Sequence, residues 1–77
     1  MEDQTMASKG FYTGYSEQPT VKIEYWYDRN IKLYTFQYFD SEGNETSPCD
    51  YCGKNSLIAN KNAIRDETGI MPIKWKE

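Results

Sequence analysis

The sequence predicts a small α+β domain: a small antiparallel sheet, a hairpin or meander of three to four strands, with one α-helix packed on one face, in the order β-β-(β)-α-β. Three observations carry this. Val21–Tyr27 alternates with period two, and the run from Ile31 to Phe39 is rich in β-branched and aromatic residues. Leu57–Glu67 can be helical, with Asn55 or Ser56 to cap its start and Gly69 to end it. The chain has 77 residues, enough for one core and too few for two.

Residues 1–20 read as a flexible N-terminal arm, and residues 21–77 as the single domain. Met1–Gly10 is polar and aperiodic, which predicts disorder. Phe11-Tyr12-Thr13-Gly14-Tyr15 places three aromatics around a glycine, a patch suited to a short extra strand or to a partner. Pro19 ends the arm.

The hairpin turn falls at Asp28-Arg29-Asn30. A two-residue loop at Arg29-Asn30 and a four-residue loop over Asp28–Ile31 give one register. Tyr27 then lies opposite Lys32, Tyr25 opposite Tyr34, Ile23 opposite Phe36 and Val21 opposite Tyr38. One face reads Val21, Ile23, Tyr25, Tyr34, Phe36 and Tyr38. The other pairs Lys22 with Gln37, Glu24 with Thr35 and Trp26 with Leu33. A slip of one residue would mix the two sets, so their clean separation favours this register. Asp40–Asn44 is a second turn, with Gly43 suited to a left-handed backbone. It returns the chain into a short third strand, Glu45–Ser47, before Pro48. On the helix, Leu57 and Ile64 share a face at i, i+7. Met71, Ile73 and Trp75 alternate with Pro72, Lys74 and Lys76 in a final strand at a sheet edge. The expected core is Val21, Ile23, Tyr25, Tyr34, Phe36, Tyr38, Leu57 and Ile64.

Composition narrows the function. Leu, Ile, Val and Phe number 12 of 77, and seven tyrosines with two tryptophans fill the shortage, so the core is aromatic and built on a sheet. With no histidine, a His-based catalytic dyad or triad and any His-containing zinc site are excluded within one chain. No apolar run approaches the roughly 18 residues of a membrane span, and no secretory pattern opens the chain, so a cytoplasmic protein without a membrane partner is expected. For a viral protein that compartment is the host cytoplasm. Residues 1–52 carry −5 and residues 53–77 carry +2. The positive part, Lys54, Lys61, Arg65, Lys74 and Lys76, is an alternative basic face for nucleic acid, against the plainer reading of solvated lysines.

Cys49-Asp50-Tyr51-Cys52-Gly53 resembles half of a zinc knuckle. The chain offers no second pair of ligands, so metal binding needs two chains sharing one zinc, or carboxylates. The expected state is two thiols in a turn, one of them a small buried hydrophobe. Asn44-Glu45-Thr46 matches a glycosylation acceptor that a chain without a signal peptide does not present. Asp40-x-Glu42-Gly43-Asn44 lacks the spacing and closing glutamate of a calcium loop. The Asp66-Glu67 pair sits at a helix C-terminus and implies no pocket. No phosphate loop and no activated nucleophile are legible, so neither an enzyme nor a cofactor is expected.

What remains is a surface. The expected function is protein binding by a non-catalytic module. Residue types favoured by AT-rich codons, with small size, acidity and many tyrosines, are similar in style to phage and mobile-element factors that inhibit or modulate host proteins. The expected partner site is the hairpin's second face and tip, Trp26, Leu33, Asp28 and Arg29, with Phe11, Tyr12 and Tyr15 reaching over from the arm. An unpaired strand edge also offers a route to a homodimer. Nucleic acid is disfavoured because the hairpin half is acidic, whereas base-stacking platforms sit in positive grooves.

Overall fold

Alternating aromatic and β-branched side chains make β1 (Lys22–Asp28) and β2 (Leu33–Phe39) the centre of the sheet in the computed structural model, which describes residues 14–75. β3 (Asp50–Cys52) pairs antiparallel with β2 on one side. A single 3-10 turn, Lys54–Ser56, then leads into α1 (Leu57–Thr68). β4 (Ile73–Lys74) closes the order β3-β2-β1-β4. The fold class is the expected one, with a distinction in the sheet. β1, β2 and β3 form the antiparallel meander, and β4 joins β1 in parallel, so the sheet is mixed. Parallel pairing follows from the connection, because α1 carries the chain back along the sheet before it re-enters at the far edge. Among the described residues no helix is long and apolar enough to cross a membrane.

The hairpin keeps the expected faces but shifts every partner by two residues. Tyr25 lies opposite Phe36, Ile23 opposite Tyr38 and Tyr27 opposite Tyr34, closed by Asp28 opposite Leu33. The loop is therefore Arg29–Lys32. Its geometry explains the shift: the Asp28 side chain accepts the Asn30 amide at 2.9 Å, and the Lys32 amide donates to the Asp28 carbonyl at 2.8 Å. Lys32 completes the turn in the left-handed region, φ 58°, a conformation that nothing in the residue type announces.

The third strand is also displaced. Glu45 makes one isolated bridge to Phe39, and the Thr46 amide donates to the Tyr38 carbonyl at 3.1 Å. The ladder then lapses around Pro48, which has no amide to give, and resumes only at Asp50 opposite Phe36. The strand expected over Glu45–Ser47 thus falls on Asp50–Cys52 and carries the cysteine motif out of the expected turn.

One face of the sheet is buried. Ile23, Tyr25, Phe36, Tyr38, Cys52 and Ile64 form the core, with Tyr34, Leu57 and Ile70 packed against it. Val21, expected inside, is 52% exposed because β1 begins one residue later; its amide caps the ladder on the Phe39 carbonyl at 2.8 Å. The rings interlock edge-on or tilted, Tyr27 on Tyr34 at 5.1 Å, Tyr25 on Phe36 at 5.8 Å and Tyr25 on Tyr34 at 6.1 Å. Ile64 is the one buried residue of α1. Lys61, one turn earlier on the same stripe, lays its ammonium 4.9 Å from the Tyr25 ring centroid. The helix ends at Gly69, φ 80°, whose amide donates to the Arg65 carbonyl at 2.7 Å.

Of the expected arm, residues 1–13, including Phe11 and Tyr12, lie outside the described residues. Residues 14–20 are tied to the turn after β2. The Ser16 amide donates to the Glu45 carbonyl at 2.8 Å, and the Thr20 and Thr46 hydroxyls share a hydrogen bond. Asp40 organises this corner. It is 2% exposed; its carboxylate accepts from the Ser16 hydroxyl at 2.6 Å and from the Glu42 and Asn44 amides at 2.8 and 2.9 Å. The Ser16 hydroxyl foremost, then the Asn44 amide, hold the carboxyl below its ordinary value, against the opposing effect of burial.

Two outcomes follow from this packing. Phe36→Ala removes the centre of the core, a loss of about 3–5 kcal/mol that is comparable with the whole stability of so small a domain, whereas Val21→Ser stays within about 0.5 kcal/mol. Urea titration followed by far-ultraviolet circular dichroism distinguishes them. For Asp40, the unfolded chain takes up the proton at higher pH than the folded one. Its stabilisation is complete above about pH 4 and is lost as the pH falls toward the lower folded value. The urea midpoint between about pH 5 and pH 3 should therefore fall less steeply in Asp40→Asn than in the wild type. Equal slopes would contradict the role given to this carboxylate.

Candidate protein-binding face

The pleat that sends Ile23, Tyr25, Phe36 and Tyr38 to the helix sends the intervening residues to the other side. Lys22, Glu24, Trp26 and Asp28 of β1 lie there with Leu33, Thr35, Gln37 and Phe39 of β2, joined through the register by Tyr51 of β3 and Ile73 of β4. No second helix or sheet covers this side among the described residues. Tyr51, Ile73 and Trp75 are 54%, 52% and 46% exposed.

β4 is short, but the ladder continues past it: the Trp75 amide donates to the Tyr25 carbonyl at 2.8 Å. That bond sets Trp75 beside Trp26, with ring centroids 6.1 Å apart and planes at 61°. Thr35 lies between Trp26 and Tyr51 in the register. It is 4% exposed, and its hydroxyl has no hydrogen-bond partner among the described residues, so it acts as a small filler under the larger side chains.

Glu24, Trp26, Gln37, Phe39 and Trp75 line an open groove of about 390 Å³. The Glu24 side chain is 20% exposed and lies 3.8 Å from the Lys22 ammonium. That ammonium also lies 5.4 Å from the Phe39 ring centroid. Gln37 turns its amide nitrogen away to the Glu45 carboxylate. Toward the hairpin tip, Trp26, Tyr27, Asp28, Arg29 and Trp75 line a second concavity on the other side of the indole pair.

The structure thus gathers Trp26, Leu33 and Asp28 on one open face, with Arg29 at its tip. Trp26 pairs with Thr35 rather than Leu33, as the shifted register requires. Tyr15 does not join them. It is 42% exposed and lies beside Asp40–Glu45, at the opposite end of the hairpin from Arg29. Phe39, Tyr51, Ile73, Trp75 and Glu24 belong to this face although sequence reasoning assigned them to no site. The alternation through Ile73 and Trp75 was a usable signal. Which strand β4 joins, and in which direction, is a long-range fact that local pattern does not carry.

The described residues of the alternative basic set stand on the helix side of the sheet and at its edges, away from the open face. Lys54 follows β3 at one edge and lies 5.4 Å from the Tyr27 ring centroid. Lys61 lies over Tyr25, Arg65 pairs with Asp66 at 3.1 Å, and Lys74 sits on β4 at the far edge. Lys76 is outside the described residues.

The two cysteines have different surroundings. Cys52 faces the core, while Cys49, half-buried and hydrogen-bonded to Tyr51, lies just before β3. Both thiols are unbridged. Burial raises the pKa of each; at Cys49 the Glu45 and Asp50 carboxylates add to it and the Tyr51 hydroxyl partly offsets it. Both therefore stay protonated near neutrality, and neither has the depressed pKa of a reactive thiol. Among the described residues no three His, Cys, Asp or Glu side chains are placed to hold a metal ion. Burial, and then a hydrogen bond donated to Asp50, also raise the pKa of the Tyr38 hydroxyl far above its ordinary value. It sits in the core and serves packing.

Comparison with protein-family models, with curated proteins and with solved structures returns no match. The molecule is defined by its own geometry: a small α+β module with one sheet face under a helix and the other open and aromatic.

Proposed function

We propose that the protein is a non-catalytic binding module that docks a protein partner on the open face of its sheet, as an accessory factor that modulates that partner. One observation carries the reading. Trp26, Leu33, Phe39, Tyr51, Ile73 and Trp75 share a face over which the described residues place no further layer. Apolar side chains grouped in this way on a small domain mark interaction surfaces, and tryptophan and tyrosine dominate the energetics of such surfaces. The Trp26–Trp75 pair is the expected anchor.

Affinity capture from the source cell or its host, read by mass spectrometry, identifies the partner; binding to the purified partner then tests the face. Trp26→Ala should weaken the complex by about 2 kcal/mol or more. Tyr51→Ala and Ile73→Ser, both at half-exposed positions, should weaken it with little change in stability. Unchanged binding in all three, with loss in Ile58→Ser or Arg65→Glu, would move the site to the helix.

A further inference from the structure

The groove beside the indole pair has a chemistry of its own. Its walls are the Trp26, Trp75 and Phe39 rings, and Glu24 lies among them with most of its side chain covered. A carboxylate amid aromatic faces attracts a cation twice, by its charge and by the negative faces of the rings. The molecule already shows this attraction. The Lys22 ammonium lies 3.8 Å from a Glu24 oxygen and 5.4 Å from the centre of Phe39, two of the groove's lining residues. Lys22 leaves the groove itself open, with its side chain 48% exposed and its carboxylate contact near the outer limit of an ion pair. Nothing from the described chain closes over Trp75, which is 46% exposed on the other side of the groove.

We infer that this groove receives a cationic side chain, the guanidinium of an arginine or the ammonium of a lysine, presented by a basic segment of the partner protein. The inference rests on the protein-binding reading above and names the chemistry of what binds. In the bound state the partner's cation takes the carboxylate of Glu24 and lies against the indoles, and Lys22 swings out to solvent. Charge supports this occupant. The whole chain carries −3, and among the described residues that line the groove the one charged side chain is the Glu24 carboxylate. A nucleic-acid backbone would meet like charge here, and a second copy of the chain would bring the same acidic surface to itself.

The test uses the full chain with a hexa-arginine peptide as probe, a hexa-citrulline peptide of the same shape without charge, and a thymidine decanucleotide. Binding is read from indole fluorescence and from nuclear magnetic resonance shifts of the two indole N–H groups and the Glu24 amide. Hexa-arginine should bind and move these three signals; hexa-citrulline should bind at least about tenfold more weakly. Glu24→Gln, close to isosteric, should weaken hexa-arginine about fivefold or more, Lys22→Ala should tighten it about twofold or more, and Lys74→Gln should leave it unchanged. A Glu24→Gln variant that binds as the wild type does, shifts spread over the surface without the indoles, equal effects of Lys22→Ala and Lys74→Gln, or preference for the oligonucleotide would each overturn the inference. So would self-association of the chain through the same signals. The two readings separate on the captured partner. Loss in Trp26→Ala with wild-type binding in Glu24→Gln keeps the face and refutes the cation, whereas wild-type binding in Trp26→Ala, Tyr51→Ala and Ile73→Ser together refutes the face.

Discussion

Everything in this molecule follows from the pairing of β1 with β2 in the register that sets Tyr25 against Phe36. Side chains alternate sides along a strand, so that one pairing decides the fate of every aromatic in the hairpin. Tyr25, Tyr34, Phe36 and Tyr38 go to the helix side, and Trp26 and Phe39 go to the other. Among the described residues α1 is the one layer laid on the sheet. The same pairing therefore makes a buried core and an open aromatic face.

The covering layer is thin. α1 sends one residue, Ile64, into the core, supported by Leu57 and by Ile70 beyond the helix end, while Ile58 stays 74% exposed. Rings on the sheet supply what the helix lacks, and two lysines extend the contact. Lys61 and Lys54 place their charged heads over Tyr25 and Tyr27, each a contribution of about 0.5–1 kcal/mol where the site is partly exposed. These lysines thus belong to the packing of the helix side. At the far end of the hairpin, Asp40 holds the turn after β2 through the Glu42 and Asn44 amides and joins it to the segment before β1 through the Ser16 hydroxyl. It fixes the corner that the apolar core does not reach.

What was legible in the sequence was what depends on parity and local punctuation. The two faces of the hairpin, the helix with its Gly69 stop and the edge position of Ile73 all follow from alternation or capping. What escaped depends on contacts distant in sequence or on backbone that residue type does not reveal. The two-residue shift in register rests on the left-handed Lys32. The third strand was misplaced because Pro48 interrupts a ladder that restarts at Asp50. For the candidate site, Trp26 and Leu33 were visible as the hairpin's second face. Trp75 was not, because its place beside Trp26 requires β4 to run parallel to β1.

The central claim is that the isolated protein has one covered sheet face and one open one. Hydroxyl-radical footprinting of the full chain, resolved residue by residue with mass spectrometry, measures this directly. The account predicts rapid oxidation of Tyr51 and Trp75 and strong protection of Phe36 and Tyr38, four aromatics of comparable intrinsic reactivity on one small sheet. Equal protection of both sets would mean that the second face is already covered, and would contradict it.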